Sequence, residues 1–322
     1  MKKFLIIQTA FTGDVILATS VAEKLHAYYP EAVVHFVLRK GNEDLLANHP
    51  FISKVYVWDK KQGKYAGLWK IAKELRAEHY DRVINLQRFA SSGFLTVLSG
   101  GKQKVGFDKN PLSFLFTKAL PHKLDGRHEV ERNLELVSDI TDIVLQRPVL
   151  YPTQGDFDKV AHLVAKPYVV FAPASVWFTK QLPKEQWVKL GKELTAKYAV
   201  ALIGGPGDVE FCIEIQVAIG SGIVLAGKLS YLESAALIKG AVMNYVNDSA
   251  PLHMASAVNA PVSAFFCSTV PKFGFYPLSD QTKIIEIFEE LTCRPCGLHG
   301  YKACPQGHFR CAKDIDITEA LV

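Results

Sequence analysis

Two short polar turns, about 235 residues apart, hold the residue types with the most chemical capacity in this chain. The first spans residues 8–15 and contains Gly13 and Asp14; the second is Asn247, Asp248 and Ser249, followed by Ala250 and Pro251. Each sits between an apolar strand-like run and the first turn of a helix-like one. There, free backbone N–H groups and the helix dipole favour an anion or hold a working carboxylate. Gly13 allows close backbone approach, and Asp14 can serve either as the N-cap of its helix or as a general base at the mouth of a cleft. Ser249 and the N–H groups beside it suit a phosphate. Upstream, the stretch 172–183 also leaves a strand-like run and supplies Ser175, Thr179 and Lys180, a set that can neutralise a diphosphate without a metal. Gly204, Gly205, Pro206, Gly207 and Asp208 form a further turn between strand and helix. Together these residues describe a nucleotide-diphosphate site in the second half. Neither a Gly-Lys-Ser/Thr loop nor a Gly-x-Gly-x-x-Gly fingerprint is present, which argues against a P-loop nucleotidase and a nicotinamide enzyme. His253, one turn into the second helix, reads first as a buried structural residue and second as a contact to donor or acceptor. Arg88 and Lys40, at predicted strand ends, read as solvated charges before acceptor ligands.

The elements that must position these residues follow from hydrophobic spacing. Short β-branched runs alternate with stretches of helical periodicity, the pattern of a parallel sheet with crossover helices. Strands are expected at 4–7, 33–38, 55–58, 82–86 and 104–107, and helices at 14–29, 43–47, 65–78, 89–98 and 129–140. Residues 144–158 break the periodicity with Pro148, Pro152 and polar residues and read as a linker. The pattern then restarts, with strands at 168–171, 200–203, 223–225, 243–246 and 262–266 and helices at 184–197, 210–219, 231–239 and 251–258. Ser230 and Glu233 form a capping-box pair before the third of these helices. The fold class is therefore α/β: two doubly wound, Rossmann-like domains, 1–150 and 151–322, with ligands expected at the carboxyl ends of the strands, in an interdomain cleft. A content of 49% hydrophobic and 21% charged residues in 322 supports large cores, and a net charge of +5 falls short of the dense positive field of a nucleic-acid binder. No stretch approaches the roughly 18 uninterrupted apolar residues of a membrane span. A cytoplasmic enzyme is expected, with any membrane contact peripheral.

The motifs at 13–19, 172–187, 204–208 and 247–257, in this order, resemble those of the ADP-heptose:lipopolysaccharide heptosyltransferases, glycosyltransferase family 9. The resemblance covers nearly the whole chain. It implies a GT-B architecture, with an N-terminal acceptor domain, a C-terminal donor domain and metal-independent, inverting transfer of heptose. It also implies roles: Asp14 as catalytic base, Lys180 as the diphosphate-binding lysine, and Ser175 as a hydroxyl near the phosphates. Asp248, Ser249 and Ala250 stand at the family's Asp-Thr-Gly turn. Asp208 lies nearest the acid that binds the donor ribose, with Glu210 a rival, and Leu229 matches a position whose backbone lies against adenine. Gln8 stands where a lysine is common, and Gln181, Leu182 and Pro183 replace the usual Trp-Pro. The implied partners are an ADP-sugar donor and a lipid-linked oligosaccharide acceptor at the inner face of the cytoplasmic membrane, with no cofactor required. The alternatives are a GT-B enzyme using another nucleotide sugar and a non-catalytic nucleotide-binding module, which would need no acid at the first turn.

Four of the six cysteines, Cys293, Cys296, Cys304 and Cys311, crowd the C-terminal segment, interspersed with His299 and His308. A Cys-x-x-Cys pair followed by two more can close a tetrahedral zinc site, with free thiols on a loop-rich segment as the alternative. Cys212 and Cys267 fall in apolar contexts and read as core.

Overall fold

The computed structural model describes residues 1–61, 63–165 and 167–321. They form two compact units, Met1–Tyr151 and Pro152–Val322. In the first, β1 (Lys3–Ile7), α1 (Thr12–Tyr28), β2 (Val33–Arg39), β3 (Ile52–Trp58), α2 (Lys64–Ala77), β4 (Arg82–Asn85), α3 (Ala90–Leu98), β5 (Gln103–Phe107), β6 (Lys118–Leu120) and α4 (Glu129–Glu135) follow one another. The strands make one parallel sheet in the order β3-β2-β1-β4-β5-β6. In the second, α5 (Gln154–Ala161), β7 (Tyr168–Ala172), α6 (Lys184–Leu194), β8 (Ala199–Leu202), α7 (Val209–Ile219), β9 (Ile223–Val224), α8 (Tyr231–Gly240), β10 (Met243–Asn247), α9 (Ala250–Ala257), β11 (Val262–Phe266), β12 (Thr282–Glu286) and α10 (Arg310–Lys313) are laid out likewise. Their parallel sheet runs β12-β11-β10-β7-β8-β9.

Numbered within its own unit, each sheet has the strand order 3-2-1-4-5-6, so each is a Rossmann-like doubly wound sheet. The expected fold class, two such α/β units of the GT-B kind, is what the chain forms. The order reverses between β1 and β4 in the first unit and between β7 and β10 in the second. Loops leaving these four strands diverge to opposite faces and leave a crevice at the carboxyl ends, which is where the two turns carrying Asp14 and Asp248 fall.

Central strands are apolar on both faces because helices cover both. All five residues of β7, β10 and β11 are buried, whereas the edge strand β12 is largely exposed or half-buried. Helix α1 is buried over most of its circumference, from Val15 through Ala22. In the second unit Trp187, Phe171, Tyr245 and Phe265 pack as mutually tilted or edge-on rings at the centre of the core. The capping box expected before α8 is formed: Glu233 N–H donates to Ser230 Oγ at 3.2 Å, and Ser230 N–H donates to Glu233 Oε2 at 2.8 Å.

Several expected elements are corrected. The segment at 43–47 is a single 3-10 turn, Glu43–Leu46, and α4 stops at Glu135 instead of reaching Ile140. The stretch read as linker contains the start of α5, where Thr153 and Asp156 cap each other. Strands β6 and β12 had no counterpart in the sequence reading; both are short edge strands whose composition is mixed.

Candidate active site

The first turn is shaped by side chains that bond back to its own backbone. Helix α1 begins at Thr12, so Asp14 stands two residues inside it, and its Oδ2 accepts the Phe11 N–H at 3.1 Å. Thr12 Oγ1 donates to Asn42 Oδ1 at 3.0 Å, and buried Asn42 donates to the Ala10 carbonyl at 3.4 Å. Gln8 is buried at the end of β1; its Oε1 accepts from Ala10 N–H at 3.2 Å and from Gln87 Nε2 at 2.7 Å, joining the loops after β1 and β4. The Arg39 guanidinium lies 4.7 Å from the Phe11 ring centre. Gly13 is part of the helix and has no left-handed backbone.

Asp14 is partly buried, and burial is the main reason its carboxyl rises from 3.8 to about 6, with the charge of Glu129 adding to the effect. The Phe11 and Asp14 N–H groups and Arg39 pull the other way. Glu129 itself is buried at the start of α4 beside Arg132, at 2.8 Å, and His122, at 3.4 Å. Desolvation opposes its charge, but the hydrogen bond from His122 and the Arg132 guanidinium hold its carboxyl below the usual carboxylate range. A carboxyl raised to about 6 beside a fixed anion is matched to proton transfer near neutrality.

In the second unit the residues after β7, β10 and β11 converge. Lys180 Nζ lies 2.6 Å from Asp248 Oδ2, and the same oxygen accepts from Thr269 Oγ1 at 2.7 Å. Asp248 is thus buried against one lysine and one hydroxyl, and it aims the ammonium. Since a lysine ammonium carries three protons, the pair leaves Lys180 donors for an anion. Thr179 is buried, and its hydroxyl accepts from the Tyr301 N–H at 2.7 Å and meets Ser268 Oγ at 3.1 Å, so it braces the loop. Buried Asn247 ties the two switch-point loops together by accepting from Leu182 N–H at 3.0 Å and donating to the Pro173 carbonyl at 2.7 Å. Ser175 is partly buried, with its carbonyl accepting Gln181 Nε2 at 2.5 Å. Ser249 precedes α9 but its hydroxyl makes no capping bond to the helix, contacting only the Asn247 carbonyl at 3.4 Å. Ser249 and Ala250 directly follow the Asp248 that pairs with Lys180, and the first turn of α9 begins there with N–H groups that a helix cannot satisfy by itself.

Farther along the same sheet, Asp208 accepts the Gly205 N–H at 2.7 Å, fixing the turn after β8, while Glu210 is exposed. Leu229 is partly buried between β9 and α8. His253 is buried, its ring 6.2 Å from that of Phe275. Lys40 is exposed and paired with Asp59 at 2.8 Å, and the exposed Arg88 lies over the Phe89 ring. Sequence reasoning missed Asn42, Gln87, Glu129 and Thr269. Thr269 had a legible signal, since Ser268 and Thr269 are polar residues immediately beyond an apolar strand; Glu129 had none, because its effect on Asp14 depends on α4 meeting α1 across more than 100 residues of chain.

The zinc expectation for Cys293, Cys296, Cys304 and Cys311 is corrected. Among the described residues no three His, Cys, Asp or Glu side chains group where a metal could be held. All six thiols are free, and Cys311 is buried in the core of the second unit, where burial pushes its thiol up to about 12. Cys296 Sγ instead donates to the Cys293 carbonyl at 3.2 Å. The segment is held to the sheet by Arg294, which donates to the carbonyls of Cys267, Phe266 and Thr269 at 2.7, 3.1 and 2.8 Å. Cys212 and Cys267 are fully buried, as their contexts suggested.

Residues 68–300 match the family model described as glycosyltransferase family 9 (heptosyltransferase). The chain is 29% identical to lipopolysaccharide heptosyltransferase 3 of Escherichia coli, over 80% of this chain and 82% of that one. Its fold is similar to the structure of E. coli ADP-heptose lps heptosyltransferase II, with a TM-score of 0.79, 22% identity and full coverage of both chains. It is also similar to E. coli heptosyltransferase WaaC with ADP, with a TM-score of 0.72 and 20% identity over 88% of this chain and 93% of that one.

Proposed function

Because the chain belongs to glycosyltransferase family 9, the heptosyltransferases, we propose that it transfers heptose from ADP-heptose to a sugar of a lipid-linked lipopolysaccharide core, inverting the anomeric centre and using no metal. The observation that carries this reading is the pairing of functions at two switch points: an elevated carboxyl at the first and an aimed lysine beside a helix N-terminus at the second. The names of the relatives and the ADP bound to a similar structure support the donor and acceptor assigned here.

In this mechanism ionised Asp14 takes the proton of an acceptor hydroxyl, and that oxygen attacks the anomeric carbon from the face opposite the diphosphate. The bond from anomeric carbon to phosphate oxygen breaks, and ADP leaves with the electron pair. Charge growing on the diphosphate falls to the Lys180 ammonium, Ser175, and the N–H groups of Ser249, Ala250 and the α9 first turn. Asp248 and Thr179 act by fixing Lys180 and its loop. Asp208 takes the donor ribose and the Leu229 backbone takes the adenine; buried His253, in α9, serves as a contact to donor or acceptor. Transfer requires Asp14 and the Lys180 group to serve the same pair of sugars, with the N-terminal unit binding the acceptor and the C-terminal unit the donor. No helix among the described residues is long and apolar enough to cross a membrane. The proposed acceptor, a lipid-linked core sugar, places the reaction at the inner face of the cytoplasmic membrane, with peripheral contact from the cytoplasm.

The test is calorimetric titration with ADP, UDP and GDP. ADP-selective binding that Lys180→Ala weakens by at least about tenfold supports the donor site. Preference for UDP or GDP overturns the ADP-heptose assignment.

A further inference from the structure

The first unit contains a cavity of about 910 Å³ that the transfer chemistry does not use. Its wall is built at the carboxyl ends of β3 and β4, from Trp58, Tyr65, Trp69, Phe89 and Phe94, with Lys60 beside them. Three of these rings reach solvent: Tyr65 is 78% exposed, Phe89 54% and Trp69 51%, an aromatic surface of the kind that marks a ligand site. Lys60 lays its ammonium 4.7 Å from the Trp58 ring centre and 3.3 Å from the Thr9 carbonyl. Thr9 belongs to the loop that leads into Asp14, and the Gln87–Gln8 bond joins that loop to the segment preceding Phe89. Cavity and candidate base therefore share a rim.

The chemistry of the wall selects its occupant. A sugar ring can stack on an aromatic face, but each buried hydroxyl then needs a partner, and among the described residues the lining side chains offer the Ser91 hydroxyl, the Tyr65 phenol, the Trp58 and Trp69 indole N–H groups and Lys60, against a wall that is otherwise carbon. An alkyl chain makes no such demand and gains from every ring it covers. Two cations lie against the lining rings, Lys60 over Trp58 and the Arg88 guanidinium 5.5 Å from the Phe89 ring. We propose that this cavity takes an acyl chain of an anionic glycolipid, namely the lipid-linked acceptor, and holds its head group towards the loop of Asp14. This rests on the reading of the acceptor as lipid-linked.

Dodecyl phosphate, kept below its micelle concentration, is the probe, titrated into the full-length protein by calorimetry. The expected result is one saturable site, weakened at least about tenfold by Phe89→Ala and by Ser91→Phe, which fills the cavity from its wall. Lys60→Ala weakens dodecyl phosphate but not dodecanol. Circular dichroism melts show that each variant is folded. The assignment is overturned by absence of saturable binding, by binding that the three variants leave unchanged, by competition from a fully delipidated core oligosaccharide, or by binding to phosphatidylglycerol vesicles alone. Transfer assays with acylated and delipidated acceptors separate the two claims. Equal transfer to both, without dodecyl phosphate binding, removes the cavity assignment alone. Failure of ADP binding and of transfer to either acceptor, with the dodecyl phosphate site intact, removes the proposed function instead.

Discussion

Asp14 carries the sharpest expectation at the scale of a single residue. Its carboxyl rises from 3.8 in the unfolded chain to about 6 in the folded one, so between these pH values the folded protein keeps a proton that the unfolded chain has lost. Stability attributable to this group is therefore fully present below about pH 4 and falls as pH rises towards 6. Asp14→Asn removes that penalty while keeping an acceptor for the Phe11 N–H, and its thermal midpoint at pH 7.5 is expected to equal or exceed that of the unsubstituted protein. Its transfer rate should drop by about 10²- to 10⁴-fold with ADP affinity unchanged, measured by steady-state kinetics beside calorimetry. Because the proposed mechanism uses the ionised form as base, kcat/KM should rise with pH through an acidic limb near 6. Lys180 gives a second residue-scale expectation. Lys180→Ala strands Asp248 in a buried site with only Thr269 for company, at a cost of roughly 3 kcal/mol in denaturant unfolding on top of the loss of ADP affinity. Asp248→Asn should keep more of the stability while still weakening ADP, since it leaves a hydrogen-bonding group but releases the ammonium.

At the scale of elements, the loops after β1, β4, β7 and β10 are held by buried amides: Gln8, Gln87, Asn110 and Asn247 each bond to neighbouring backbone or to one another. Gly93 in α3 shows how tight this bracing is. A Cβ there would lie 2.3 Å from Asn110 Oδ1, whose side chain accepts from Leu112 N–H and donates to the Gln87 and Phe89 carbonyls. Gly93→Ala should therefore cost about 2 kcal/mol despite the better helix propensity of alanine, read as a lower midpoint in urea. The central strands and most helices were legible because burial on both faces leaves an apolar run, as in β7 and β11, and because Ser230 and Glu233 announce a helix start. Strands β6 and β12 were not legible: edge strands half-exposed to water carry a mixed composition, and Thr282–Glu286 has only two isoleucines to mark it. Asp14, Lys180 and Asp248 could be found from their places after strands. The 2.6 Å pairing of Lys180 with Asp248, and the anion of Glu129 set near Asp14, depend on loops meeting in space and leave no trace in local spacing.

At the scale of the whole molecule, two units with the same strand order each offer one switch point, and the proposed chemistry assigns one task to each. The N-terminal unit holds a carboxyl matched to proton abstraction and an aromatic cavity; the C-terminal unit holds a cation, hydroxyls and a helix start matched to a nucleotide diphosphate. The chain's membership of glycosyltransferase family 9 supports the proposal that these are the two halves of a group transfer. The measurement that tests it most directly is mass spectrometry of a core glycolipid acceptor incubated with the protein and, in parallel, ADP-heptose, a UDP-hexose and a GDP-hexose, with Asp14→Asn as the control. A single heptose added from ADP-heptose alone, and lost with Asp14→Asn, is the predicted result. Transfer from a UDP- or GDP-sugar in its place, or undiminished transfer by the Asp14→Asn protein, would contradict it.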